Sequence, residues 1–184
     1  AGAASVIPAV VWFPSEPQPD GSIWLRDEAQ VTLPDRPESR VVLDALRDSW
    51  CAVELAGDFT SVAWRKLLQN AVAGFMVLTG RRCGMFTRPD IAELALAYLR
   101  ECLAVARAEG AVLGDDVPQQ IVEVFQTSPA DMSSSILADR EAGRPLEWDI
   151  RNGVMQRRGR AHGIATPISD VLVPLLAASS DSPA

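Results

Sequence analysis

With 184 residues, 48% of them hydrophobic, the chain has enough apolar side chain to bury a core and is not a disordered tail. Its net charge of -7 excludes a general nucleic-acid binder, because neutralising phosphates needs clustered lysine and arginine. Three cysteines without CxxC spacing (Cys51, Cys83, Cys102) and a single histidine, His162, exclude any familiar zinc site, so no metal is expected and a reduced, cytoplasmic protein is the simpler reading.

In chain order, Ala1 to Phe13 is apolar, but it carries Pro8, lacks a basic n-region and is too short to cross a bilayer, so neither signal peptide nor membrane span is expected. The chain has no initiator methionine and begins in a strand-like run, Ser5 to Phe13, which reads as a piece cut from a larger fold. A Pro-rich turn from Pro14 to Gly21 follows, with Asp20-Gly21 as a hairpin signal. Ser22 to Arg26 and Gln30 to Leu33 alternate as strands. Pro37 suits the first turn of a helix running to about Trp50, and Cys51 to Leu55 reads as another strand. Residues 1–57 thus look like the closing part of an α/β domain.

From Asp58 the pattern becomes helical. The first helix is expected over Thr60 to Thr79, stopped by Gly80, and the second from Arg88-Pro89-Asp90 to Glu109, closed by Gly110. A third covers Val117 to Gln126. Asp131 to Ser133 can cap a helix reaching Ala142, Gly143-Arg144-Pro145 separates it from Glu147 to Arg160, and the last helix opens near Pro167. These make a helical domain, residues 58–178, and Ser179 to Ala184 reads as a mobile tail. The basic run Arg157-Arg158-Gly159-Arg160 fits the exposed side and last turn of a helix, where cations suit the dipole.

The first of these helices carries the chemistry. At 3.6 residues per turn, Lys66, Asn70 and Gly74 fall on one line, opposite Trp64, Leu67, Leu68, Ala71, Phe75 and Leu78. Val62, Ala63, Ala73 and Val77 border the Lys66 line and leave only Arg65 and Gln69 facing water. A lysine among small apolar residues is either a snorkelling side chain or an ammonium kept for an oxygen that gains negative charge, which an amide one turn away can also hold. Ser133-Ser134-Ser135 is a helix cap, within which Ser135 lies in the first turn with its hydroxyl free for a ligand. Glu147 complements a helix dipole, Asp139 can pair with the neighbours of Arg140 or with Arg144, and His162 reads as a C-terminal cap. No GxGxxG occurs, so the chain shows no phosphate cradle of its own, and no Ser-His-Asp order or nucleophile elbow supports a hydrolase.

Taken in order, Trp64-x-Lys66-Leu67-x-x-Asn70, Ser134-Ser135-Ile136-Leu137-x-Asp139, Arg144-x-x-Glu147-x-Asp149, Asn152-Gly153 and Ala161-His162-Gly163-Ile164-x-Thr166-Pro167 resemble the C-terminal half of the ketopantoate reductase family over about residues 58 to 174. The resemblance implies a mainly α fold: an all-helical C-terminal dehydrogenase domain preceded by the closing β-strands and helix of an α/β Rossmann domain, with the active site in the cleft between. It implies NADPH as cofactor and a small 2-keto acid as substrate, ketopantoate being reduced to pantoate in pantothenate biosynthesis. Carried over by position, Lys66 would be the proton donor, Asn70 and Ser135 would bind substrate, and Glu147 would contact the cofactor on the nicotinamide ribose side. Without a glycine-rich half, these 184 residues are not expected to bind NADPH well alone. Gly74 stands where the family commonly has a second asparagine, which implies a lost amide and a larger, less polar pocket, with a related 2-keto acid or bulkier ketone as the alternative substrate. The competing reading is a non-catalytic helical dimerisation or interaction module of the same fold. A homodimer is the partner expected, and the apolar helix Ile91 to Ala108 would supply its face; no nucleic acid or membrane is expected.

Overall fold

The computed structural model describes residues 6–180, apart from 14 and 19. The chain divides into two compact units, Ala1–Ala63 and Trp64–Ala184.

The first unit holds β1 (Val10–Val11), β2 (Ser15–Pro17), β3 (Ile23–Leu25), β4 (Ala29–Pro34), α1 (Pro37–Leu46) and β5 (Cys51–Ala56). One sheet has the order β1-β4-β5 and the other pairs β2 with β3. Strands β4 and β5 run parallel, from Ala29 opposite Cys51 to Pro34 opposite Ala56, and α1 makes the crossover that parallel strands require. Helix α1 stops at Leu46, short of Trp50, because the Ser49 N–H (2.9 Å) and hydroxyl (2.7 Å) both donate to the Leu46 carbonyl. The Asp20-Gly21 signal forms its hairpin: Gly21 takes φ 83°, and Asp20 Oδ1 accepts from the Ser22 N–H (2.9 Å) and hydroxyl (2.7 Å). The hairpin pairs Ser15–Pro17 with Ile23–Leu25, so part of the expected Pro-rich turn is strand. The run expected over Ser5 to Phe13 narrows to Val10–Val11, antiparallel to β4; Pro8 has no N–H to offer a ladder, and residues 1–5 lie outside the described residues.

The second unit is helical, as the mainly α reading requires. Helix α2 (Phe59–Val72) begins in the first unit and ends in the second, and is followed by α3 (Gly74–Thr79), a 3₁₀ turn (Cys83–Thr87), α4 (Pro89–Ala108), α5 (Val117–Thr127), α6 (Ser135–Glu141), a π turn (Asp149–Gly153), α7 (Val154–Ala161) and α8 (Pro167–Ser180). Asp58 caps the start of α2, its carboxylate accepting from the Ser61 N–H at 3.0 Å and hydroxyl at 2.5 Å. Gly80 ends α3 in the left-handed conformation, φ 64°. Helix α8 runs through Ser179 and Ser180, the Ser180 hydroxyl accepting from the Leu146 N–H at 3.0 Å, and residues 181–184 of the expected tail lie outside the described residues.

Helix α4 runs through the core of this unit. Ala95, Tyr98, Leu99, Cys102, Leu103, Val105 and Ala106 are buried with Leu68, Met76, Phe86, Ile121, Ile136, Met155 and Leu176 from the surrounding elements. Phe75 and Tyr98 pack with ring centroids 5.6 Å apart, Phe86 and Phe125 at 4.6 Å. These seven side chains of α4 are therefore consumed inside their own unit, while Leu94 of the same helix stays 43% exposed. Burial raises the Tyr98 hydroxyl and Cys102 thiol pKa, keeping both neutral.

Two polar contacts hold this packing together. Glu101 on α4 caps α8 from outside the helix, accepting from the Ile168 N–H (2.9 Å), the Ser169 N–H (2.9 Å) and the Ser169 hydroxyl (2.5 Å). The expected single helix from Thr60 to Thr79 breaks at Ala73, between α2 and α3, where the buried Asn152 side chain donates to the Ala71 carbonyl at 2.8 Å and to the Tyr98 hydroxyl at 3.0 Å. A side-chain donor on the Ala71 carbonyl accompanies a break in the helical ladder there, and the Met76 N–H bonds to the Ala73 carbonyl (3.0 Å), three residues back instead of four. Gly74 is consequently buried. A Cβ on it would lie 3.1 Å from Asn152 Nδ2 and 3.1 Å from Leu176 Cδ1, so the larger pocket expected there is absent.

Glu101→Ala should therefore destabilise the chain by about 1–3 kcal/mol, since it strands two helix N–H groups, with Glu101→Gln recovering part of the loss; chemical denaturation followed by far-UV circular dichroism measures both. Gly74→Ala should cost about 1–3 kcal/mol in the same measurement, because the amide it meets is pinned by two hydrogen bonds and cannot yield cheaply. An unchanged midpoint for Gly74→Ala would mean that Asn152 is not pinned.

Candidate active site

Lys66 lies on α2 two turns from the N-terminus, half-buried, with Leu68 and Ala71 of the same helix turned into the core. Burial pushes its pKa down from the usual lysine value, and the positive charge of Arg151 pushes it further the same way. Asn70 is one turn on and also half-buried, and its amide makes no hydrogen bond among the described residues. Arg65 and Gln69, expected to face water, are half-buried as well.

Ser135 opens α6. Its neighbour Ser134 is the cap, accepting from the Leu137 N–H at 3.4 Å, which leaves the Ser135 hydroxyl for other work. That hydroxyl accepts from Arg151 Nη2 at 3.1 Å. Arg151 in turn donates through Nε (3.1 Å) and Nη2 (2.6 Å) to Glu147 Oε2. Its side chain is only 11% exposed, while that of Glu147 is 52% exposed, so the ion pair has a buried cationic end and a wet anionic end. Two of the four residues expected at the site thus meet at Arg151, Ser135 and Glu147 by hydrogen bonds, and the charge of Arg151 also lowers the Lys66 pKa. Asn70 joins by its position beside Lys66.

Arg151 lies outside the sequence motifs that mark Lys66, Asn70, Ser135 and Glu147. The signal for it was present, since Glu147 and Arg151 have the i, i+4 acid-base spacing that pairs along a helix. What the spacing did not disclose is the π turn at Asp149–Gly153. Its wider turn sends Arg151 toward Ser135 while the next residue, Asn152, enters the core and clamps the break after Val72. One short segment therefore positions both the guanidinium and the end of the lysine helix.

The remaining polar groups singled out in the sequence are structural. Arg144 pairs with Asp139 at 2.7 Å, Arg157 with Asp149, Arg158 with Glu109 at 3.7 Å and Arg160 with Asp170 at 3.2 Å, so the basic run is matched by carboxylates. The His162 backbone N–H caps α7, and its ring lies 2.7 Å from Glu109. Among the described residues, no three His, Cys, Asp or Glu side chains converge as a metal site, and no helix is long and apolar enough to cross a membrane.

An ammonium with a lowered pKa, an unengaged amide, a hydroxyl and a buried guanidinium form a constellation suited to a small anion bearing an oxygen that is to be protonated. Comparison with known proteins bears on which anion. The family model described as the ketopantoate reductase PanE/ApbA C-terminal domain matches residues 58–180. A 2-dehydropantoate 2-reductase from Mycobacterium tuberculosis is 57% identical over 180 residues, covering 98% of this chain and 61% of the relative. One from Caulobacter vibrioides is 35% identical over 97% of this chain and 61% of the relative. Among solved structures, a dimeric ketopantoate reductase from Staphylococcus aureus superposes with a TM-score of 0.87 at 26% identity, covering 96% of this chain and 62% of that one. The chain spans about three fifths of the length of these relatives. With its lysine helix, capped serine and glutamate in the order and arrangement described above, the chain belongs to the ketopantoate reductase family, as its C-terminal domain with the strands that precede it.

Proposed function

We propose that this chain supplies the substrate-binding and proton-donating part of an NADPH-dependent reductase that converts ketopantoate to pantoate. The observation that carries the reading is the half-buried Lys66, its pKa lowered by burial and by Arg151, one turn from the unengaged amide of Asn70. The names of relatives up to 57% identical support ketopantoate as the ketone. Gly74 does not argue for a bulkier substrate, because Asn152 and Leu176 already fill the space beside it.

When bound, the reduced nicotinamide supplies the hydride. The chain's own fit to that cofactor is confined to Glu147: its Oε2 is taken by Arg151, but its Oε1 has no donor among the described residues, and a half-exposed carboxylate oxygen suits a ribose hydroxyl. Lys66 holds a proton at Nζ and passes it to the substrate oxygen as that oxygen gains charge. A lysine whose pKa is lowered by burial and by a neighbouring cation transfers this proton more readily than an ordinary one. The Asn70 amide donates to the same oxygen and orients it, and the Ser135 hydroxyl holds the substrate through a second polar group. A homodimer is the assembly we propose, by analogy with the dimeric relative from Staphylococcus aureus.

In the full-length protein, Lys66→Ala should lower kcat/KM for ketopantoate by about a hundred- to ten-thousand-fold without unfolding the chain, as followed by NADPH oxidation and circular dichroism. Turnover equal to wild type would remove Lys66 from the mechanism. The proton donor must be charged, so kcat/KM should fall as pH rises through the Lys66 pKa, and that fall should begin below the usual lysine value of 10.5. A pH profile in which Lys66→Ala keeps the same alkaline limb would assign the limb to another group.

A further inference from the structure

Arg151 is the buried charge whose surroundings explain only part of its chemistry. A guanidinium carries five N–H donors. Here Nε and one Nη2 hydrogen go to Glu147 Oε2, and the second Nη2 hydrogen goes to Ser135 Oγ. Nη1 has no acceptor among the described residues, and it is not among the buried atoms left without partners, so its two donors remain open to a ligand. Ser135 Oγ, since it accepts from Arg151, keeps its own hydrogen to donate, and no acceptor takes it among the described residues. An Arg N–H and a serine O–H, held side by side by the bond between their own groups, match the two oxygens of one carboxylate.

We infer that Arg151 and Ser135 together bind the carboxylate of the 2-keto acid, with Nη1 on one oxygen and the Ser135 hydroxyl on the other, and that Arg151 is the residue that selects an acid over an uncharged ketone. This rests on the reductase reading above and adds the group that recognises the substrate's charge. Glu147 pins the guanidinium from the opposite edge, so its open edge is set before substrate arrives. Lys66 feels the field of Arg151, so a carboxylate seated on Arg151 lies within electrostatic reach of the lysine that protonates the neighbouring ketone oxygen. In a 2-keto acid those two groups are on adjacent carbons.

The test uses the full-length protein with NADPH, comparing ketopantoate with its methyl ester in the wild type, Arg151→Gln and Arg151→Lys. Arg151→Gln should raise KM for the acid about ten- to a hundred-fold and change KM for the ester little, with kcat altered less than KM; Arg151→Lys should fall between, keeping the charge without the fork. Calorimetric binding of pantoate, which needs no turnover, should weaken in parallel. Equal losses on acid and ester, or none on either, would overturn the carboxylate role and leave the reductase reading standing. If the wild type itself neither reduces the keto acid nor binds pantoate, the reductase reading fails and this inference fails with it. Unfolding midpoints of the variants, measured alongside, separate a collapsed site from a lost contact.

Discussion

The amide of Asn152 is the contact on which the helical unit depends. It is fully buried, donates to a main-chain carbonyl of α2 and to the hydroxyl of Tyr98 at the centre of α4, and lies against Gly74 where no side chain fits. A buried amide in an apolar interior is costly unless its hydrogens are engaged, so these two bonds lock three elements into one arrangement. The helix break after Val72, the burial of Gly74 and the path of the π turn all follow from that lock. Its Oδ1 is buried without a partner among the described residues, which lowers the net gain from the two bonds its Nδ2 makes.

The lock also explains how a structural residue shapes a chemical site. Asn152 and Arg151 are adjacent, so fixing one amide in the core fixes the origin of the guanidinium next to it. Arg151 then reaches outward to Ser135 and Glu147, and its charge is felt at Lys66. The catalytic group of the proposal and the substrate anchor thus share a support, although they are far apart in sequence. A reductase acting on an anion needs such coupling, because the carboxylate and the ketone oxygen must be held at once and a small displacement of either is expensive in rate.

Electrostatics in the site are uneven by construction. Among the described residues, most ion pairs are exposed on both sides, as between Arg88 and Asp90, and contribute little. The pair between Arg151 and Glu147 differs because its cation is nearly buried and its anion is wet. A buried guanidinium satisfied by one carboxylate keeps its planar fork oriented, while water remains available to the carboxylate. That asymmetry suits a residue that must stay in place and still receive a second anion.

Local signals carried a large share of the fold. The Asp20-Gly21 hairpin, Pro37 and Pro89 at helix starts, and Gly80 and Gly110 at helix ends each act through a neighbour's backbone, and so could be read from a few residues. The helical spacing of Lys66 and Asn70, and the position of Ser135 just inside a cap, were legible for the same reason. The Lys66 line did not extend to Gly74, the helix did not run unbroken to Thr79, and Arg151 acquired its place only in three dimensions. Asn152 lies at all three, against Gly74, on the carbonyl before the helix break and next to Arg151, although it is 81 residues away in sequence from the carbonyl it holds. The sequence by itself determined which helices form and which residue types they carry, because propensity and capping are local. Only the tertiary structure decided which of those residues meet, because a buried hydrogen bond between distant segments leaves no periodic trace along the chain.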